Sequence, residues 1–500
     1  MSRINTNVNS LLGQRILGQQ NRSLNTSLER LSTGLRINRG ADDPAGLIAS
    51  EALRSQNASI TAAIGNAERA EQVVNVAEGG LQEINNLLLE VQSLVGQSAN
   101  DAGLSLEEKE ANQLQIDSIL QTIDRIATTT SFQGTKLLNG TYDFNVEDQA
   151  ATVNEVKVNA AKIPNGETRD VKVLVTQSAQ QAGLFLNLGT SGGSLDLSAA
   201  DATFTFDLAG SDGSRQFSFA SGTSLTDVAD TINTFTDVTG LVASAGATGV
   251  FIHSVDLGSK EFASITIKDA AGLSGNINYL SANNTAALGA VASSFAAASN
   301  PIRDAGQDIA ATINGVAATT NGATAKLSTD FLDVEIDLTK AGAQALGAID
   351  AFKITGGGAN FNLGPNVDIG NQVSIGIANV ASRNLGSLEN GFLSSLASGQ
   401  DNNVVDGDLT QAQKIVNDAV KETSTLRGRL GAFQKNTVGA TIRSLGIALE
   451  NTSAAESAIR DTDFAKETAA LTRSQILVQA ATNTLGIANS QPQNALSLLG

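Results

Sequence analysis

The chain has no cysteine, no tryptophan, one methionine, one histidine and five prolines in 500 residues, and aromatic side chains make up only 4%. Without cysteine there is no disulfide framework, no iron–sulfur cluster and no thiol nucleophile. The one histidine, His253, has no histidine or cysteine companion with which to hold a metal. It sits in a strand-like stretch, Val250–Val255, and reads as an ordinary residue of a β-module. A hydrolase built on it would need a nucleophile-elbow sequence, and none supports it. No Gly-x-x-x-x-Gly-Lys-Ser/Thr occurs, which excludes a P-loop. Gly356-Gly357-Gly358 lacks the strand–helix setting of a dinucleotide site and reads as a loop. Asp406-Gly407-Asp408 lacks the ligand spacing of an EF-hand and reads as a turn into a helix cap. Asp461 and Asp463 read as helix-start residues, not as an acid and a base. The expectation is no enzyme, no cofactor and no metal.

Other absences bear on location. No stretch approaches 18 apolar residues, so no membrane-spanning helix and no membrane partner are expected. Arg3, Asn5, Asn7 and Asn9 break the apolar run after Met1, so no signal peptide is expected, and export would follow a route that cleaves no Sec signal. A secreted chain without disulfides must gain stability elsewhere, and polymerisation is one route. The net charge of −18 argues against nucleic acid as a partner. That charge is uneven. Up to Gly40 there are six arginines (Arg3, Arg15, Arg22, Arg30, Arg36, Arg39) against Glu29 alone, about +5, and the remainder carries about −23. A basic arm that docks on an acidic helix and a merely solvated polar face both fit this asymmetry.

What is present is helical periodicity. Leu53, Gln56, Ile60, Ala63, Ala67, Ala70, Val74, Ala77, Leu81, Ile84, Leu88, Val91 and Val95 recur at alternating steps of three and four, with Gln56 the one polar member. Spacing near 3.5 holds one face toward a partner helix, as in a coiled-coil seam. A helix from Pro44 to Ala99 would be roughly 80 Å long, at 1.5 Å per residue. Such a rod needs neighbouring helices along its whole length, which points to assembly. A first helix is expected over Val8–Leu35, with Val8, Leu11, Leu24, Leu28, Leu31 and Leu35 as its apolar members. Asp43 and Pro44 read as N-cap and first residue of the rod. Ser105 with Glu108 reads as a capping box for a third helix, whose inner face is Leu120, Ile123, Ile126 and Ala127. None of the five prolines is expected inside a helical run.

From about Tyr142 the texture changes. Val153–Val158, Asp170–Val175, Thr203–Leu208, Gln216–Ala220, Ser264–Lys268 and Leu332–Leu338 read as strands. Gly210-Ser211-Asp212-Gly213 reads as a hairpin turn, and short helices are expected at Leu225–Phe235 and Leu338–Ala348. Helical texture returns at Asp408, which pairs with Gln411 as a cap. Ala412, Val416, Ala419, Thr423, Leu426, Leu430, Phe433, Thr437 and Ala440 continue the three–four rhythm. A last helix is expected from Asp463 to Ala488, with Leu471, Val478 and Leu485 seven apart. The fold class is α+β: paired terminal helices and long coiled-coil rods, each built from discontinuous N- and C-terminal parts, with an inserted β-rich region of one or two modules.

Leu28–Gly46, LERLSTGLRINRGADDPAG, and the ending from Ala454 to Gly500, AAESAIRDTDFAKETAALTRSQILVQAATNTLGIANSQPQNALSLLG, resemble the terminal signatures of bacterial flagellin. Gln97-Ser98-Ala99-Asn100 and the run Leu426-Arg427-Gly428-Arg429-Leu430-Gly431-Ala432 resemble the family as well. The likeness covers roughly the first and last 140 residues. Thr203–Ile267 and Ala311–Leu338 resemble, less specifically, a β-rich insertion motif found in many flagellins.

The resemblance implies a helical homopolymer in the extracellular flagellar filament, serving swimming motility. It implies export as an unfolded chain by the flagellar type III apparatus, with a chaperone on the C-terminal segment. Filament cap and hook-junction proteins are implied partners. A hook–filament junction protein, which has similar ends, is the alternative. Residues 1–43 and 456–500 would form the filament core, 44–175 and 358–455 the surrounding rods, and 176–357 the variable outer domain. Family filaments switch between supercoil hands, which needs a bistable subunit contact. The segment that the innate immune receptor for flagellin recognises aligns with Leu89–Asn100: Leu89, Glu90, Val91, Gln92, Ser93, Leu94 and Gln97. Many recognised flagellins carry arginine in place of Glu90 and arginine–glutamate in place of Gln92-Ser93. Charge reversal at a contact centre costs on the order of 2–5 kcal/mol, so weak recognition is expected.

Overall fold

Local caps set the helix boundaries. Helix α1 (Val8–Thr33) starts at Asn7, whose side chain accepts a hydrogen bond from the Ser10 amide, and stops at Gly34, which adopts φ 73°. Helix α2 is continuous over 55 residues, Pro44–Ser98. Pro44 opens it where a missing N–H does no harm, and Asp43 accepts from the Gly46 amide at 2.9 Å. Helix α3 (Leu106–Thr129) has the full capping box of Ser105 and Glu108. Three short helices, α4 (Leu225–Asn233), α5 (Thr236–Thr239) and α6 (Lys340–Gln344), lie in the β-rich part. Asp408 then caps α7 (Leu409–Ala432) through the amides of Thr410 and Gln411. A π-helical turn at Phe433–Val438 leads into α8 (Gly439–Arg460), and α9 covers Phe464–Leu496.

The computed structural model describes residues 6–100, 103–164, 167–189, 193–197, 202–281 and 284–496. Arg3 of the basic arm and residues 497–500 of the C-terminal signature lie outside them. The chain divides into a terminal unit, Met1–Gln72 with Asn362–Asn371 and Ala432–Gly500, and a central unit, Val73–Phe361 with Gln372–Gly431.

The central unit holds its helices by a dry apolar stripe. Val74, Ala77, Leu81, Ile84, Leu88, Val91 and Val95 of α2 are buried, as are Ile116, Leu120, Ile123 and Ala127 of α3. On α7, Ala412, Val416, Ala419, Thr423, Leu426 and Leu430 are buried. Polar pairs fix α7 antiparallel to α2: Arg427 on Glu78 at 2.9 Å, Ser424 on Asn85 at 3.4 Å and Gln92 on Asn417 at 2.7 Å.

Two β-modules follow, each with its own core. One has a five-stranded antiparallel sheet, in the order Val316–Ala317, Ala310–Ile313, Arg169–Gln177, Gly347–Gly357, Phe144–Glu147. Its second sheet runs Thr319–Asn321, Thr324–Ser328, Leu332–Leu338, Val153–Ala161. Alternation places Val171, Val173, Val175, Val334 and Ile336 in its core. The other module also has a five-stranded and a four-stranded sheet. Its four-stranded sheet contains the Thr203–Ala209 and Ser214–Ala220 hairpin, closed by Gly210–Gly213. Phe204, Phe206, Phe217, Phe219 and Phe295 fill its core beside α4.

Several expectations need correction. Gln56 is exposed, and the half-buried Asn57 takes its place in the seam, while Leu53 is only half-buried. Thr437 and Ala440 are half-buried and Val438 is the buried residue, because the π-turn inserts one extra residue into the repeat. Ile126 is half-buried. The helix expected over Leu338–Ala348 shrinks to α6, since a strand begins at Gly347, where φ is 137°. Gly356 and Gly357 end that strand and are not a free loop. Asp461 terminates α8, and only Asp463 caps a helix start, accepting from the Ala465 and Lys466 amides.

Pro492 lies inside α9. It has no N–H to give the Ala488 carbonyl four residues back. The Asn7 side-chain amide donates to that carbonyl instead, at 2.7 Å. The donor that proline removes from one helix is thus replaced from the cap of the other.

Candidate assembly surface

In the terminal unit α1 and α9 pair along their length, and their contact is made by small residues. Ser10, Gly13 and Ser27 are the buried members of α1. Ser474, Ala481 and Ala488 are those of α9. Leu485 packs directly over Gly13, where a Cβ would come within 3.1 Å of its methyl. Polar contacts pin the pair: Ser10 to Asn489 at 2.7 Å, Asn9 to Gln491 at 3.3 Å and Arg30 to Glu467 at 3.8 Å.

Leu485 apart, several of the largest apolar side chains remain outside the pair. Val8 is 62% exposed, Leu11 58% and Ile487 64%, and Leu28, Ile476 and Leu477 are exposed too. Leu24, Leu31, Leu35, Leu471, Val478 and Leu485 are half-buried. Sequence reasoning had named the large residues and missed the small ones. Their signal was present: Ser474, Ala481 and Ala488 are seven apart, offset by three from Leu471, Val478 and Leu485. Exposed large apolar side chains gathered on one helix pair point to an interaction site.

The connections into the pair are tied together. Leu35 forms a bridge with Asp461. The Arg36 amide donates to the Arg460 carbonyl at 2.7 Å, and the Thr462 amide donates to Gly34 at 2.9 Å. The Arg36 guanidinium donates to the Ile459 carbonyl and lies 3.6 Å from Asp43. Asp42 accepts from the Arg39 and Asn38 amides. The Arg39 bond foremost holds its carboxyl below the usual range. In the same unit Asn57 donates to Glu456 at 2.8 Å and accepts from Thr452, and Arg460 meets Glu51 at 3.1 Å.

In the central unit the receptor-like segment lies on α2. Val91 and Leu94 are buried, Leu89, Glu90, Ser93 and Gln97 are exposed, and Gln92 is half-buried against Asn417. The main electrostatic feature of this unit lies on α7. Burial pushes the Glu422 carboxyl up to about 7, although it accepts from the Gly386 amide and has Lys157 nearby. Arg429 is also lowered by burial, and its guanidinium donates to the Asn159 and Gly376 carbonyls. His253 lies in the strand Gly249–Ser254, lowered by burial and by Lys340. No group of three or more metal-ligating side chains occurs among the described residues, and none of their helices is long and apolar enough to cross a membrane.

Comparison with known proteins bears on what this surface joins. Residues 4–143 match the bacterial flagellin N-terminal helical region, and 413–499 the bacterial flagellin C-terminal helical region. Residues 203–253 match the flagellin hook IN motif. The B-type flagellin of Pseudomonas aeruginosa is 30% identical over 542 residues, spanning 99% of each chain. Flagellin D of Vibrio anguillarum is 29% identical over 506 residues, again spanning 99% of each. Among solved structures, the D2–D3 domains of the flagellar cap protein from Serratia marcescens align at 20% identity and a TM-score of 0.23. They cover 37% of this chain and 92% of that one, a likeness too slight to carry an argument.

Proposed function

The chain belongs to the bacterial flagellins and is a structural subunit of the flagellar filament, and we propose that its terminal helices form the filament core through the large apolar side chains that the α1–α9 pair leaves outside. One observation carries this reading: the pair is closed by serine, glycine and alanine, while Val8, Leu11, Leu28, Ile476 and Ile487 are exposed. A helix that exposes its largest apolar residues is half of an interface. Further copies of the same chain supply the other half. Residues 1–43 and 456–500 then form the core, 44–175 and 358–455 the rods, and 176–357 the outward domain. The role is structural and involves no reaction, cofactor or metal.

Export as an unfolded chain, a chaperone on the C-terminal segment and contact with cap and hook-junction proteins belong to the same reading. So does weak recognition by the innate immune receptor, supported by exposed Glu90 on α2. Nothing in the chain favours the junction-protein alternative. Electron microscopy of purified subunit, monomerised and seeded with filament fragments, tests the reading. Long tubes with helical order are expected, and persistent monomers or short rings would overturn it. Potent activation of receptor-bearing cells by monomer would overturn weak recognition.

A further inference from the structure

The helical chain from α7 into α8 changes register at one place. Ala412, Val416, Ala419, Thr423, Leu426, Leu430 and Phe433 follow steps of four and three and are buried. An uninterrupted α-helix would continue this face through Thr437, Ala440, Ser444, Ile447, Asn451, Ala454 and Ala458. The structure continues it instead through Val438, Ile442, Leu445, Leu449, Thr452, Glu456 and Ile459, of which Val438 is buried and the others half-buried. Ser444, Ile447, Asn451, Ala454 and Ala458 are exposed. The π-turn Phe433–Val438 produces the one-residue slip, closed by a hydrogen bond from the Gly439 amide to the Gln434 carbonyl five residues back.

Polar contacts hold α8 in the register it has. It contains no fully buried residue; Thr452 and Glu456 meet Asn57, Arg460 meets Glu51, and the Ile459 and Arg460 carbonyls accept from Arg36 at its C-terminal end. Gly428, Gly431, Gly439 and Gly446 soften the segment, each at about 1 kcal/mol of helix propensity relative to alanine. Gly439 is suited to the π form, because a Cβ there would come within 3.3 Å of the Gln434 carbonyl.

We propose that the π-turn is a register switch, in which conversion to an α-helical turn rotates α8 by about 100° and advances it by about 1.5 Å. The conversion exchanges the Val438–Leu445–Thr452 face for the Thr437–Ile447–Asn451 face, and packing of further copies against α8 drives it. The proposal rests on the filament reading.

The absence of native cysteine makes disulfide trapping clean. Two full-length double variants are compared, Asn57→Cys with Thr452→Cys and Asn57→Cys with Asn451→Cys, each oxidised as monomer and after seeded polymerisation. The 57–452 pair should close in the monomer. The 57–451 pair should rise at least about fivefold on assembly, and Gly439→Ala should raise it in the monomer as well. Deleting Asn436 removes the extra residue while keeping both faces inward, so the 57–452 crosslink should persist in both states. Circular dichroism confirms that each variant is helical. Filaments in which the 57–451 crosslink stays at monomer background would overturn the switch and leave the filament reading intact. Failure of the unmodified chain to polymerise would overturn both.

Discussion

The α1–α9 pair and the phenylalanine-filled β-module bury opposite kinds of side chain. In the module Phe204, Phe206, Phe217 and Phe219 are inside, whereas in the pair Ser10, Gly13, Ala481 and Ala488 are inside and Val8, Leu11, Ile476 and Ile487 face out. The module is complete as one chain, and on the proposed reading the pair is completed by further copies. Charge divides in the same way. The terminal unit has 13 cationic against 12 anionic side chains, a net of about +1, which leaves about −19 on the central unit. Near-neutral charge allows copies of the terminal unit to pack together, while the acidic unit keeps the assembled surface soluble. On that reading, folding energy and assembly energy are stored in different parts of the sequence.

The comparison breaks most visibly if the pair is removed. Truncation of 456–500 should abolish polymerisation and leave the melting of the central unit unchanged; electron microscopy and calorimetry read the two outcomes. Phe206→Ala should do the reverse. It should cost about 3–5 kcal/mol of central-unit stability in denaturant titration and leave filaments forming wherever the chain is folded. Leu11→Ala should barely move monomer unfolding yet raise the critical concentration for assembly about tenfold or more, as loss of about 1.4 kcal/mol or more per contact requires.

Glu422→Gln tests the interior of the central unit. Its carboxyl is raised from 4.5 to about 7, so the folded state holds the proton more tightly than the unfolded one. The contribution of Glu422 to native stability is then fully present below pH 4.5 and is lost as pH rises from 4.5 through about 7. The glutamine variant should lack this decline, gaining about 1 kcal/mol over the wild type at pH 8, after allowance for partial solvation of the site, and nothing at pH 4. The smallest effect belongs to Asn7→Asp. It keeps the N-cap acceptor but loses the donor to Ala488, and should cost about 1 kcal/mol, seen as faster hydrogen exchange at the ends of α1 and α9.

Much of the architecture was legible because it is local. The Ser105–Glu108 box, the Asp43–Pro44 start, the 55-residue helix and the hairpin at Gly210–Gly213 follow from neighbours in sequence. Leu332–Leu338 alternates buried and half-buried as its pattern demands. What was not legible depends on distant partners. Gln56 and Asn57 are equally polar, and only Thr452 and Glu456 decide which faces inward. Nothing in the run Phe433–Val438 announces a π-turn. Pro492 within a helix contradicts a rule that holds only until Asn7 supplies the missing donor. The candidate surface was half legible: the large apolar residues of the terminal helices were named as assembly-core positions, but the small residues buried between those helices contribute little to an apolar pattern.

The bond from Asn7 to Ala488 also has a consequence in time. It spans 481 residues of sequence, so its two ends meet only when the whole intervening chain is available. Closing so large a loop is entropically unfavourable until the central unit has shortened it by folding. Helix pairing at the termini is therefore expected to follow folding of the central unit. A chain released from its N-terminus, or from its C-terminus, carries one unpaired helix until the other emerges. On the proposed reading, the paired assembly surface forms only after the rest of the subunit has its shape.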